Sequence, residues 1–585
     1  MTNQEIAKIL NEMAQLLEMK EVEFRPRAYE KAALSVEALD REVKDIYKEN
    51  GLKGLMEIPG IGRGIAEHIE GLLKGGKFIE YEKLKKEIPV NITELSSVEG
   101  VGPKMIKILY KKLKVKNLSD LEKVAKSGKV KGLAGFGEKS EQKILKGIEF
   151  LKKYGGRRIL GYILPEILAL EKMIQSFPEV DEVAVAGSTR RMKETIGDID
   201  IVAVSDKPEK VMKRFIGLPQ VEHVYAHGKT KTLVKLKNGL DADLRVVPKN
   251  SFGATLNYFT GSKDHNVALR DMALKKGWKL NEYGLFKRIG ARGKGQGWIQ
   301  VAGSTEDDLY KKLGLRYVEP EMRENTGEIE VALRHAQGKS PGLPKLIRYG
   351  DLKGDLQVQT DWTDGENSIL EMANAAKKIG LEYIAITDHT KSLAMTGGAD
   401  EKKLLRQIEE IKKINKTLKG IKILTGAEVN IMKDGSLDIK DEVLEKLDVV
   451  GAAVHSHFNL SREEQTKRVI KAMTNPNVDI IFHLTGRVIG RREAIQIDVD
   501  EIIKTSKRTR TILEIDAFPE RSDIKDDYIK KCTEAGVKMV IDSDAHSINH
   551  FKYLELGIAQ ARRGWAKKSD IINTKPLKEF LKCLK

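Results

Sequence analysis

From about residue 380 to residue 545 the chain keeps one rhythm. Short apolar runs ("YIAIT", "KILTGAEV", "VVGAAV", "DIIFHL", "TILEIDA", "KMVIDSDA") alternate with helical stretches. Runs that are apolar at nearly every position need cover on both faces, which a parallel sheet wrapped by helices supplies. The alternation predicts βα repeats and a parallel, barrel-like sheet. At 585 residues the chain is too long for that unit alone, and about three to five domains are expected.

The N-terminal third has a different texture. "IAKILNEMAQLLEM" and "FRPRAYEKAALSVEAL" have the 3.6-residue apolar spacing of helices. A repeat follows in "IPGIGRGIAEHI" (58–69), "VEGVGPKMIKIL" (98–109) and "LAGFGEKSEQKIL" (133–145), each an apolar-x-Gly-apolar-Gly turn leading into a helix. The glycine pairs are Gly60 and Gly62, Gly100 and Gly102, Gly135 and Gly137. Such a turn aims backbone N–H groups outward at a helix N-terminus, with no Cβ to keep a phosphate away. Residues 101–150 hold 13 Lys against 5 Asp and Glu, and the whole chain carries a formal +17. A basic block around repeated glycine turns fits a nucleic-acid backbone gripped without reading its bases.

Other classes are disfavoured. No segment reaches the ~18 apolar residues of a membrane helix. The opening "MTNQEIAKILNEMAQ" is polar and periodic, unlike a signal peptide. Two cysteines, Cys532 and Cys583, frame neither a disulfide scaffold nor a zinc site. A cytoplasmic protein, monomeric and without a membrane partner, is expected.

The densest chemistry lies in "GSTRRMKETIGDIDIV" (187–202). On a strand, Asp198 and Asp200 leave by the same face. Paired carboxylates repel unless a dication lies between them, and hard oxygen ligands favour Mg²⁺. "DADLRVV" adds Asp243, with Arg245 on its face. Three acids on adjacent strands predict a two-metal phosphoryl-transfer site. Gly187, Ser188, Arg190 and Arg191 suit a triphosphate, by close backbone approach, a hydroxyl and guanidinium forks.

These motifs, with "YFTGSKDHNVALRDMALKKGWKLNEYGLF", resemble a family X DNA polymerase, and residues 1–325 are similar to DNA polymerase beta. The resemblance implies that Asp198, Asp200 and Asp243 hold two Mg²⁺ or Mn²⁺ ions. It places triphosphate contacts at Ser188, Arg191 and Gly197, a sugar pocket at Tyr258, Phe259, Thr260 and Gly261, and base or template contacts at Asn266 and Arg270, with Arg245 beside the third aspartate. The implied reaction is in-line attack of a primer 3′-hydroxyl on the α-phosphorus of a dNTP. One departure concerns the lyase step of some relatives, which uses a lysine in the helix after the first glycine turn. His68 stands at that place, so the activity is doubtful unless Lys74 or Lys31 substitutes.

Residues from about 335 onward resemble the polymerase and histidinol phosphatase (PHP) domain of bacterial and archaeal family members. The pieces are "DLQVQTDWTDG", "ITDHT", "GAEV", "VHSH", "FHLTGR" and "DSDAH". The resemblance implies a distorted barrel whose strand ends hold Mn²⁺ or Zn²⁺ through Asp364, His389, Glu428, His455, His483, Asp544 and His546. Its two opening histidines are replaced by Gln357 and Gln359. An amide binds these ions less tightly than imidazole, so a weakened 3′–5′ exonuclease is expected. Asp355 and Asp361 are candidate substitute ligands, and Arg521 a phosphate clamp.

The expected fold is thus multidomain α+β and α/β. Residues 1–90 form a helical helix-hairpin-helix domain, 91–155 a fingers-type DNA-binding domain and 156–250 a nucleotidyltransferase palm. A thumb (251–325), a linker (326–350) and the PHP domain (351–585) follow. The expected function is short-gap DNA synthesis in base-excision-type repair. The first alternative is a 3′–5′ exonuclease or AP-endonuclease with polymerisation secondary, and the second a DNA-binding scaffold with both sites vestigial.

Overall fold

The computed structural model describes all residues except 2, 40–41, 76–77, 97, 99–100, 134–135, 155–156, 290–296, 337–341 and 394–395. Among the described residues no helix is long and apolar enough to cross a membrane.

The N-terminal part is helical, and the two domains expected within it share one core. Ile6, Leu10 and Met13 of the helix Asn3–Met19 cluster with Ile106 and Leu109 of Pro103–Leu113 and with Ile144 and Ile148 of Glu138–Tyr154. Glycine turns start the helices as expected. Gly62 caps Arg63–Leu73, Gly102 caps Pro103–Leu113, and Gly137 precedes Glu138–Tyr154. A Cβ on any of these three would meet nothing within 4 Å, so the turns are open to an approaching backbone. Gly100 and Gly135 lie outside the described residues.

The palm is a five-stranded sheet in the order Glu182–Val185, Asp198–Val204, Asp241–Val247, Lys231–Leu236, Val221–His227. The second and third strands run parallel, with Asp200 opposite Asp243. Strand alternation decides what each face does. Ile199, Ile201, Ala242 and Leu244 join the palm core, whereas Val202, Val204 and Val247 pack on Phe252 and Leu256. Asp198, Asp200 and Asp243 share the second face, which looks toward the thumb helix Phe252–Thr260.

The thumb adds the antiparallel strands Trp278–Asn281, Gly284–Ile289 and Gly297–Ala302. Residues 328–336 of the stretch expected to be a linker are instead part of this unit. Glu328–Ala336 is a helix whose Ile329 and Ala332 are buried in the thumb core, and its fully buried Glu328 pairs with His265 at 2.7 Å. Polar residues at the ends of this stretch disguised an amphipathic helix between them.

The C-terminal sheet has seven parallel strands in sequential order: Gly354–Val358, Tyr383–Ile386, Lys422–Asn430, Val449–Ala453, Ile480–Ile481, Ile512–Asp516 and Met539–Asp542. First and last strands meet through a Val358–Ala545 bridge, and Gln359 N–H donates to the Ala545 carbonyl at 2.8 Å. The result is a nearly closed barrel, with the helices outside.

Candidate functional site

Two clusters of ionisable side chains lie on the sheets, acids in the palm and acids with histidines in the barrel. In the palm, Gly187 takes φ 63°, and a Cβ there would lie 2.2 Å from Asp200 Oδ2. Only glycine allows the turn Gly187–Arg190 to press so close to the acids. Asp243 Oδ1 is buried without a hydrogen bond. Its nearest cations are Arg245 Nε at 3.5 Å and Lys231 Nζ at 3.4 Å. Burial, then the charges of Asp198 and Asp243, push Asp200 up to about 7. Three acids with so little local compensation fit a divalent cation.

Of the residues expected to line a sugar pocket, Phe259 is tied to the aspartate face through Arg245. Tyr258 and Phe259 meet edge to face with centroids 5.3 Å apart, and Arg245 lies 4.6 Å over the Phe259 ring. Asn266 spends its amide on the Tyr258 carbonyl, at 2.6 Å. Gly261 closes the helix at φ 71°. Ser188 lies in the turn, its carbonyl accepting from Lys193 N–H at 3.0 Å. Gly197 precedes the strand, and Arg270 is half-buried on the helix Lys263–Lys275.

One expectation is corrected here. Arg190 does not wait for a triphosphate: it forks onto buried Glu306 at 2.7 and 3.0 Å and reaches Thr260 at 2.8 Å. Glu306 also receives fully buried Arg323. Burial alone would raise the Glu306 carboxyl, but Arg323 and Arg190 hold it down to about 2. Arg191 bonds Glu324 at 2.9 Å and the Thr260 carbonyl. "STEDDLY" around Glu306 reads as an ordinary helix start, so nothing in the sequence pointed to this palm–thumb lock.

In the barrel, three of the named ligands, His389, His455 and His483, converge on Glu428, which is fully buried. Its Oε1 is hydrogen-bonded to His483 Nε2 at 2.8 Å and lies 2.9 Å from His455 Nε2, and His389 Nδ1 lies 3.4 Å from Oε2. Both glutamines turn their amide N–H groups to the same Oε2, Gln357 at 3.1 Å and Gln359 at 2.8 Å. Their carbonyl oxygens are buried without partners. Burial would raise Glu428, yet His389 and His455 keep it well below the usual range.

Beside it, Asp364, His389 and His546 offer ligand atoms within 4.8 Å of one another, as do His389, Glu428 and His455. Burial would lower His546, but Asp544 and Asp364 raise it to about 10, so a metal must displace a proton there. His483 and Asp544 hold left-handed backbones, φ 25° and 50°, strain of the kind that gathers at functional sites. His455 is oriented by Asn430 at 2.8 Å, the outer-sphere arrangement of a metal-ligating imidazole. Asp364, His389 and His546 fit a divalent ion, whereas in the second grouping two amide N–H groups already bond Glu428 Oε2.

The substitute ligands do not join them. Asp355 is buried against Ser543, and Asp361 is exposed; neither belongs to a ligand grouping among the described residues. Arg521 does reach the site, 3.4 Å from Asp544. A cleft of about 870 Å³ opens over it, with Gly102, Pro103 and Lys143 on one wall and Phe458, Arg521 and His546 on the other. No sequence signal placed the second glycine turn opposite the barrel.

At the lyase position His68 stacks on Phe78 at 4.1 Å and meets the Tyr29 hydroxyl at 2.9 Å. Lys74 is paired with Glu70 at 2.9 Å, and Lys31 lies under Gly60, its Cγ 3.0 Å from where a Cβ would be.

Comparison with known proteins covers the whole chain. Residues 1–78 match a helix-hairpin-helix domain and 92–149 a SAM-like helix-hairpin-helix tandem. Residues 255–324 match the DNA polymerase beta thumb, and 355–570 the PHP domain. The DNA polymerase/3′–5′ exonuclease PolX of Bacillus subtilis is 36% identical over 588 residues, spanning all of both chains. A probable phosphatase of Thermoanaerobacter is 32% identical over 228 residues, which is 37% of this chain and 88% of that one.

Proposed function

We propose that this chain, which belongs to the family of the DNA polymerase/3′–5′ exonuclease PolX, fills short DNA gaps of the base-excision type with Asp198, Asp200 and Asp243 at its centre. The chain is a DNA-directed DNA polymerase with an appended PHP domain. The observation that carries the gap-filling site is Asp200, pushed up to about 7 by burial and then by Asp198 and Asp243, with Asp243 opposite it on the neighbouring strand. Mg²⁺ or Mn²⁺ held by the three aspartates would supply charge stabilisation at the attacking and leaving oxygens.

The protein's own groups do the rest. The Gly187 turn lets backbone approach the triphosphate. The Tyr258–Phe259 pair walls the sugar side, where a 2′-hydroxyl would collide. Asn266 and Arg270 face base and template, and the glycine turns at Gly60–Gly62 and Gly102 hold the duplex by its phosphates.

The PHP site is read as a phosphoesterase short of one ion. Two amide N–H groups on Glu428 Oε2 stand where the opening histidines would bind metal, while the Asp364–His389–His546 grouping is intact. Weak trimming of 3′ ends follows, with Mn²⁺ or Zn²⁺ at the remaining positions. The open cleft beneath Gly102 supports access for a DNA end.

The test is single-nucleotide gap filling in Mg²⁺ by the whole chain and by Asp198→Ala. Loss of incorporation is expected; unchanged incorporation would sink the assignment.

A further inference from the structure

The palm segment between the nucleotide-binding turn and the metal-binding strand is gripped by the PHP domain. Arg487 lies four residues beyond His483, on the loop after a barrel strand, and forks onto Glu194 of the palm at 2.7 and 3.2 Å. Arg563, at the end of the outer helix Leu554–Arg563, reaches the same carboxylate at 3.3 Å and donates to the Met192 carbonyl. Gln560 adds a third donor to Glu194 at 3.3 Å. Both arginines are nearly buried, 5% and 6% exposed. Such charges are costly to bury unless matched. Arg563 has a second carboxylate in Asp526 at 2.8 Å, whereas the Arg487 ion pair is with Glu194.

The gripped segment is short and has little slack. Lys193 N–H donates to the Ser188 carbonyl at 3.0 Å, and Met192 N–H to Thr189 at 2.9 Å, with Met192 at φ 51°. Glu194 itself accepts Leu160 N–H on its carbonyl at 3.0 Å. Thr195–Ile196 then pairs with Arg158–Ile159, and Asp198 begins the catalytic strand. Lys193 bridges Glu324 of the thumb at 3.5 Å and Asp526 of the barrel at 3.7 Å, and Glu324 also holds Arg191. Behind this, Gly161 of the palm is pressed on Leu556 and Pro519, where a Cβ would come within 2.8 Å of either.

We propose that Arg487 and Arg563 are positioning residues for nucleotidyl transfer: by clamping Glu194 and Met192, the PHP domain sets the register of Ser188, Arg191 and Asp198. The inference rests on the reading of the aspartate trio as the polymerase site. It gives the barrel a role in synthesis that is independent of its own metals. A domain contact that merely joined two bodies would leave nucleotide kinetics alone. A clamp on this segment controls where the triphosphate and the first aspartate stand, and small misplacement there is costly.

The test measures dNTP incorporation on gapped DNA by full-length chains. Arg487→Ala and Glu194→Gln are each expected to lower kcat/KM for dNTP about ten- to a hundredfold. DNA affinity and Mn²⁺ content of the barrel stay as in the unaltered chain. The double variant should lose no more than Glu194→Gln alone, because that change already weakens the Arg487 contact. Should Arg487→Ala fail to fold, Arg487→Lys carries the same test, since it keeps the charge and loses the fork. Unchanged dNTP kinetics in the single variants, or additive losses in the double, would overturn the clamp. Failure of the unaltered chain itself to incorporate dNTP would instead overturn the polymerase site.

Discussion

The two metal-type sites of this chain answer the same problem, a set of carboxylates and partners crowded at strand ends, in opposite ways. In the palm, Asp198, Asp200 and Asp243 face one another; Lys231 and Arg245 lie 3.4 and 3.5 Å from Asp243, and Arg191 and Arg245 offset part of the charge on Asp200. Burial, then the remaining repulsion from Asp198 and Asp243, pushes Asp200 up to about 7. In the barrel, Glu428 is buried deeper yet held well below its usual range, because three imidazoles and two amides surround it. On the function proposed above, the palm needs a cation, whereas in the barrel two amide N–H donors already bond Glu428. Metal dependence is thus a property of the unsatisfied groups, not of the number of acids.

The sharpest break in this comparison is removal of a palm acid. Asp243→Asn should cost on the order of 10³-fold in nucleotide incorporation, the equivalent of several kcal/mol of lost charge stabilisation. Near-normal incorporation would mean that the trio is not the centre. The barrel is expected to respond in the other direction. Gln357→His/Gln359→His should raise 3′-end degradation in Mn²⁺ at least tenfold, since imidazole exceeds an amide as a ligand; an unchanged rate would show that the amides are not what limits it.

A subtler contrast is in stability against pH. Asp200 is raised in the folded chain, so its proton favours folding below the unfolded value near 4, and that contribution is lost as pH rises through about 7. Asp200→Asn should therefore raise the melting temperature of chelator-treated protein at pH 8 and leave it nearly unchanged at pH 4. The same shift at both pH values would remove the electrostatic explanation. The smallest effect on synthesis is expected where the palm meets the thumb. Glu306→Gln leaves Arg190 and Arg323 poorly matched, and loss of a buried partner costs about 3–5 kcal/mol. Thermal unfolding of the thumb would register it, and an unaltered unfolding temperature would show that the lock carries no stability.

What the sequence disclosed follows from burial. Six of the seven barrel strands were legible as apolar runs, because strands covered on both faces read that way, whereas the first, Gly354–Val358, carries Asp355 and Gln357 and makes no run. Val221–His227 was not: it is an edge strand with most residues exposed, so "VEHVYAH" shows no run. Gln357 and Gln359 stood out as replaced ligands, but spacing cannot say which amide atom faces Glu428. Arg487 and Glu194 are 293 positions apart, and each alone looks like a surface charge. Long-range pairing of this kind is visible only once the palm and barrel are side by side.

The most direct test counts ions. In an Asp198→Ala/Asp200→Ala background, which removes the palm ligands, bound Mn²⁺ per chain would be measured by elemental analysis with and without Gln357→His/Gln359→His. The expected result is one additional ion per chain in the histidine variant. Equal counts would contradict the claim that two glutamine amides stand in for a metal in the barrel.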